Sequence, residues 1–251
     1  MKICKVLWST NRLEYLIPSL KSQRDMLDFS DCEVEGIFID DMPKKRHDGT
    51  MYELARLFGY QEVILRPKNM GLPYMWNSTF DMLKERDYDY VYLSEDDVVI
   101  NEPIKITDVI DVLNSDPTYS QISLARQKWY HHEPETGPLD TDIIINQYRI
   151  EYLEHNFTSL ASLFRREIVN LPHLENTNTQ NLNEAVVGQS TKSMGMKNYK
   201  LKNSKGANLV THIGEYTVGK KIELGDPGYE RFSMYDPEVK YCSKMGFVWN
   251  Q

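Results

Sequence analysis

Cysteine is scarce in these 251 residues. Cys4, Cys32 and Cys242 are widely spaced and form no CxxC pair, which argues against a disulfide framework or a zinc ribbon and fits a reducing compartment. Long apolar runs are missing too, since none approaches the roughly 20 residues a membrane helix needs. The opening MKICKVLWSTNR turns polar after a few residues, so it reads as a first core strand and lacks the apolar stretch of a secretory signal. These absences together imply a cytoplasmic chain without a membrane span. Basic residues are outnumbered, 29 against 37 acidic ones, for a net charge of −8. That balance argues against nucleic acid as a partner, because phosphate binding needs a clustered basic face. The first strand is not followed by a GxGxxG turn, which disfavours a hydride-transfer enzyme.

What is present alternates. Ile3 to Trp8 is a short apolar run that stops at Ser9-Thr10-Asn11, good helix N-cap residues. Leu13, Leu16, Ile17, Leu20 and Leu27 then recur at helical spacing, with Pro18 delaying or bending the helix. Val34 to Ile39 predicts a second strand ending at Asp40-Asp41, and Asp48 or Thr50 can cap the helix that carries Met51, Leu54, Ala55 and Phe58. Gly59 stops it, and Val63 to Leu65 is a third strand. Leu72, Met75, Trp76, Thr79, Phe80 and Leu83 form a full i, i+3, i+4, i+7 stripe, the clearest helix in the chain. Strand Tyr90–Leu93, helix 104–113 and strand 122–125 close the series.

Repeated βα units with short connections predict an α/β fold, a mostly parallel sheet flanked by helices. Past Arg126 the pattern loosens. Residues 127–149 are turn-rich and aromatic, 160–164 reads as a strand, 166–171 as a short helix, 183–194 as a weaker helix and 209–213 as a last strand. The expectation is one domain, with a βα half over 1–125, a second half over 126–222 and a wrapping tail over 223–251.

The most informative stretch is 88–101, YDYVYLSEDDVVIN. A buried strand drives into Glu95, Asp96 and Asp97, at the carboxyl end where open α/β sheets place their ligands. Three adjacent anions repel one another unless a divalent cation sits among them, and hard oxygen ligands suit Mg²⁺ or Mn²⁺. Residues at i and i+2 on an extended segment share a face, so Glu95 and Asp97 point together and Asp96 points away. Asp140-Thr141-Asp142 also spells D-x-D, but it follows Gly137-Pro138 with no buried strand before it, and reads as a polar turn.

His212 ends a late apolar strand and is the best remote candidate to complete the metal site; a hydrogen-bonded structural histidine is the alternative. His131 and His132 lie in a loop broken by Pro134 and read as surface or lid. Gly214 to Lys221, GEYTVGKK, nearly matches a phosphate-binding loop, but Lys221 stands where Ser or Thr is needed and no helix pattern follows. Arg66-Pro67-Lys68-Asn69-Met70-Gly71 is a basic, glycine-containing loop at a helix amino terminus. It suits a diphosphate through backbone N–H groups and Lys68 or Arg66.

Taken in order, four stretches resemble a GT-A-fold, nucleotide-sugar-dependent glycosyltransferase of the family 2 type. They are the first strand running into Ser9-Thr10-Asn11-Arg12; Phe38-Ile39-Asp40-Asp41; Lys68-Asn69-Met70-Gly71 with Asn77 in the next helix; and Ser94-Glu95-Asp96-Asp97 as the DxD-type motif. More loosely, 157–166 resembles the strand beneath an acceptor site, Asn183-Glu184 falls where an acidic base is common, and 210–214 resembles the strand that can supply a metal histidine. Two departures stand out: Asp-Asp-Met-Pro ends the second strand where Asp-Asp-Gly-Ser is common, and Asn-Glu stands where Glu-Asp is typical.

The resemblance implies a UDP- or GDP-type sugar donor, a glycan or other hydroxyl acceptor, and Mn²⁺ or Mg²⁺ held by Asp97 with Glu95 or His212. Thr10, Asp40 and Asp41 would border the nucleobase and ribose, with Arg12, Lys68, Asn69, Gly71 and Asn77 also on the donor side. Asp96 would meet ribose or sugar hydroxyls. Glu184 would deprotonate the acceptor in an inverting transfer, and Trp129 and Tyr130 would stack on acceptor sugar or belong to the core. Two other readings remain. A sugar nucleotidyltransferase is disfavoured because STNRLE follows strand one in place of a glycine-rich turn. A non-catalytic sugar- or nucleotide-binding domain is separated from an enzyme by whether base and metal residues converge.

Overall fold

The computed structural model describes residues 1–10, 12–41, 48–68, 70–126, 144–153, 157–171, 182–214, 216–217 and 220–221. β1 (Lys2–Ser9) leads into α1 (Leu13–Met26), followed by β2 (Leu27–Asp28), β3 (Glu33–Asp40), α2 (Asp48–Leu57), β4 (Glu62–Leu65) and α3 (Leu72–Lys84). β5 (Tyr90–Glu95) carries the acids, β6 (Val98–Ile100) resumes beyond them, and β7 (Ile104–Lys105), α4 (Ile106–Asn114) and β8 (Tyr119–Leu124) come next. Then follow β9 (Ile144–Ile145), β10 (Tyr148–Leu153), β11 (Ser162–Arg165), a 3₁₀ helix (Arg166–Asn170), α5 (Leu182–Ser193), β12 (Lys197–Asn203), β13 (Val210–His212), β14 (Tyr216–Thr217) and β15 (Lys220–Lys221).

Nine strands make one sheet in the order β4-β3-β1-β5-β11-β8-β12-β10-β9. β4, β3, β1 and β5 are parallel neighbours, so their carboxyl ends share one edge. β11 is inserted antiparallel between β5 and β8, and β12 runs parallel to β8. The antiparallel insertion matters for function. With Ser162 opposite Leu93, the residues just before β11 project past the end of β5, beside the acids.

Both faces are covered. Leu16 and Leu20 of α1 pack with Leu7, Phe38 and Tyr60. Met75, Trp76, Phe80 and Leu83 of α3 join Phe157 and Phe164 from the second half, with Trp76 edge-on to Trp8 at 5.1 Å. Among the described residues no helix is long and apolar enough to cross a membrane.

Several local expectations shift. Ser9 belongs to β1 and the N-cap of α1 is Arg12, without a side-chain cap bond, because Ser9 and Thr10 are engaged elsewhere. Pro18 sits inside α1, which runs on through it. α2 begins at Asp48, which places Thr50 within its first turn. Gly59 has φ 85°, as a helix stop requires. Of residues 127–149, those from 144 onward are described: β9 and β10 form a hairpin whose turn holds Asn146 at φ 55°, a conformation asparagine tolerates. β13 leaves the main sheet and pairs with β6. β14 and β15 pair as a hairpin, not as the strand and helix of a phosphate loop.

Candidate active site

β5 ends at Glu95, and Asp96 and Asp97 form the turn into β6. Asp96 is turned inward. Its Oδ2 accepts from the Ser9 hydroxyl and the Thr10 N–H, each at 3.0 Å, and its Oδ1 from Arg12. Both oxygens of Asp96 are thus engaged by the β1–α1 connection, and the residue is 1% exposed. Arg12 bridges it to Asp97, donating from Nη2 to Asp97 Oδ2 at 2.8 Å, and stacks over Tyr15. The guanidinium is thus the resident counter-charge of both aspartates.

His212 reaches this point through strand pairing. It lies opposite Val98 in the β13–β6 ladder, and the Ile213 N–H donates to the Asp97 carbonyl at 2.8 Å. Gly214 follows, where a Cβ would collide with the Asp97 carboxylate. Glu95, Asp97 and His212 each offer a ligand atom, all within 4.8 Å of one another. His212 Nε2 stands 3.1 Å from Asp97 Oδ1, so a protonated imidazole pairs with the carboxylate. With Nε2 free of a proton, imidazole and carboxylate become two facing acceptors, an arrangement that accommodates a cation. Two carboxylates and one imidazole suit a mid-row divalent ion such as Mn²⁺.

The charges are strongly perturbed. Burial, and then the Asp97 charge, pushes Glu95 up to about 8, although a Ser159 hydrogen bond works against the rise. Burial raises Asp96 despite Arg12. For Asp97 burial acts upward as well, but the positive charges of a protonated His212 and of Arg12 override it and hold the carboxyl well below the usual range.

Glu184 lies in the first turn of α5, where the helix dipole favours a carboxylate. Its Oε1 accepts from the Ser159 N–H at 2.7 Å and stands 2.9 Å from the Ser159 hydroxyl, which is also 2.5 Å from Glu95 Oε1. Burial raises Glu184, and the Ser159 bonds and the charge of Arg126 oppose this. Ser159 and Arg126 escaped the sequence reading. The stretch 157–166 resembles the strand beneath an acceptor site without marking this serine, and only the antiparallel register of β11 brings it to the acids.

On the donor side, Asp40 and Asp41 are buried at the end of β3. The Asp41 carboxylate accepts from the Met70 N–H at 2.9 Å and the Gly71 N–H at 2.7 Å, with Arg66 at 3.6 Å. The anion position expected for a diphosphate at the start of α3 is thus filled by the chain's own carboxylate. Gly71 is the N-cap of α3 at φ 85°, a conformation suited to glycine. Lys68 is exposed on that loop, and Asn77 is half-buried in α3. Asn11, Asn69, Trp129, Tyr130, His131, His132, Asp140 to Asp142 and the tail from 223 lie outside the described residues.

No protein-family model matches the chain, and no curated protein matches it by sequence. Solved structures match it by shape. Residues 1–349 of TarS from S. aureus superpose with TM-score 0.53 at 16% identity, over 84% of this chain and 60% of that one. The same TarS region with UDP-GlcNAc gives 0.57 at 13%, over 100% and 68%. The mannosyltransferase PcManGT from Pyrobaculum calidifontis, in complex with GDP-Man and Mn²⁺, gives 0.59 at 10%, over 97% and 72%. The fold is GT-A. At these identities the likeness is one of fold, and the chain spans 60% of TarS 1–349 and 37% of a longer TarS structure. The carboxyl edge of a GT-A sheet is where this chain gathers Glu95, Asp97, His212 and Glu184.

Proposed function

We propose that the chain is a metal-dependent glycosyltransferase, moving a sugar from a nucleoside diphosphate of the UDP or GDP type to an acceptor hydroxyl with inversion. One observation carries the reading. A candidate metal cluster and a candidate base meet at one point, since the Ser159 hydroxyl contacts both Glu95 and Glu184. That convergence favours an enzyme over a binding module of the same fold. The neighbours add support for the donor class, as TarS is seen with UDP and UDP-GlcNAc and PcManGT with GDP-Man and Mn²⁺.

Glu95, Asp97 and His212 would hold Mn²⁺ or Mg²⁺, which supplies neutralisation of the charge developing on the leaving diphosphate. Glu184 takes the proton from the acceptor hydroxyl; its raised pKa keeps it a stronger base than an exposed carboxylate. Asp96 sets the β1–α1 connection, and Arg12 is a cation that can serve carboxylates or phosphate. Thr10, Asp40, Lys68, Asn69 and Asn77 would border the nucleotide, with Asp41 shaping the loop beside it.

The test is turnover of UDP- and GDP-sugars with Mn²⁺ by wild type and Glu184→Gln. The amide keeps shape but cannot accept the proton, so kcat should drop about 10²- to 10⁴-fold with nucleotide binding intact. Equal turnover by the variant would remove Glu184 as base.

A further inference from the structure

We propose that Ser159 is a positioning residue that fixes Glu184 in its working orientation and ties it to Glu95. The inference rests on the reading of Glu184 as the base and assigns a role to a residue that the sequence did not single out within 157–166.

Ser159 is 2% exposed and lies between β10 and β11, outside regular structure. Its neighbours are fastened on all sides. Gln121 of β8 grips Thr158 twice, donating from Nε2 to its carbonyl at 2.6 Å and accepting its N–H at 3.0 Å. The Ser162 hydroxyl donates to the same carbonyl at 2.9 Å, and the Leu160 N–H donates to Thr158 Oγ1 at 3.2 Å. Ala161 is held at φ 41°, a left-handed conformation that costs a residue with a Cβ, and its carbonyl accepts the Leu124 N–H at 2.9 Å. A segment under this much constraint, bent at a non-glycine residue, delivers one side chain to one place.

That place is the gap between two carboxylates. Two donors from Ser159, its N–H and its hydroxyl, converge on a single oxygen, Glu184 Oε1. With the Thr158 hydroxyl also bonded to this carboxylate, the two Ser159 donors on one oxygen favour one orientation of the carboxyl plane, and with it the direction in which the group accepts a proton. The same hydroxyl lies 2.5 Å from Glu95 Oε1. It has one proton to give, so its bond to one carboxylate depends on what the other is doing. Acid–base work loses rate steeply when the accepting atom is misplaced by an ångström, which is the effect a lost hydroxyl would have here.

The experiment uses the whole chain with UDP- and GDP-sugars and Mn²⁺, following nucleotide release. Ser159→Ala keeps the backbone N–H and removes the hydroxyl, so kcat should fall about 10- to 100-fold. Donor KM and Mn²⁺-dependent UDP or GDP affinity should stay unchanged, which also shows that the variant is folded. Ser159→Thr, which restores the hydroxyl, should recover most of the rate. Ser159→Ala added to Glu184→Gln should cost nothing further, because there is then no base to orient. Wild-type turnover by Ser159→Ala, with Glu184→Gln inactive, overturns the role of Ser159 and leaves the base in place. A loss of nucleotide affinity that accounts for the lost rate overturns it too, by moving Ser159 to the donor side. Unimpaired Glu184→Gln removes the base and this proposal together, as does a wild type inert towards every donor.

Discussion

Glu95 is the residue at which, on the proposed reading, a cation would compete with a proton. Its carboxyl is pushed from 4.5 to about 8 by burial and by Asp97. A carboxyl with a raised folded pKa holds its proton more tightly folded than unfolded, so its contribution to stability is full below 4.5 and is lost as pH rises towards 8. Glu184 is raised in the same sense and adds to the fall. Asp97, held low, acts oppositely, but only below the ordinary carboxylate value of 3.8, outside this window. The melting midpoint in EDTA should therefore drop between pH 4.5 and 8. Glu95→Gln should flatten that drop. Mn²⁺ must displace the proton, so its stabilising effect should grow over the same range. A wild-type midpoint that stays level across the window, with or without Mn²⁺, would contradict this assignment of charge.

At the scale of elements, the start of α3 is tied to the end of β3 through Asp41. Asp41→Ala removes an ionised acceptor from two backbone N–H groups, at a cost of about 1.5–3 kcal/mol. Amide exchange at Met70 and Gly71 should quicken while β5 stays protected; unchanged exchange there would show that the loop orders itself without the carboxylate. The helices that were legible in the sequence are those with a one-sided stripe, α3 above all. β5 was legible because an apolar strand running into three acids is chemically costly without a purpose. β10 and β12 were not, since YRIEYL and KNYKLKN interleave polar residues along strands far from the acid-bearing β5. The N-cap expected at Ser9 to Asn11 failed for a related reason: the Ser9 hydroxyl and the Thr10 N–H serve Asp96, a long-range partner that local pattern does not reveal.

For the molecule as a whole, the α/β alternation of the first half foretold the parallel neighbours β4, β3, β1 and β5. The antiparallel entry of β11 had no local sign, yet it brings the second half onto the first. Trp8, Trp76, Phe80, Phe157 and Phe164 seal that junction as one aromatic cluster under the site. It follows that Glu95, Asp97 and His212 were readable as candidates from acids at a strand end and a histidine closing a late apolar strand, while the clasp at Ser159 needed three dimensions. The central claim is that these residues build a cation-dependent nucleotide site. Calorimetric titration of UDP and GDP, with Mn²⁺ and with EDTA, into wild type and Asp97→Ala addresses it most directly. The account predicts heat of binding for one nucleotide, present only with Mn²⁺ and lost in Asp97→Ala. Binding that is indifferent to the ion and to Asp97, or absent throughout, would contradict it.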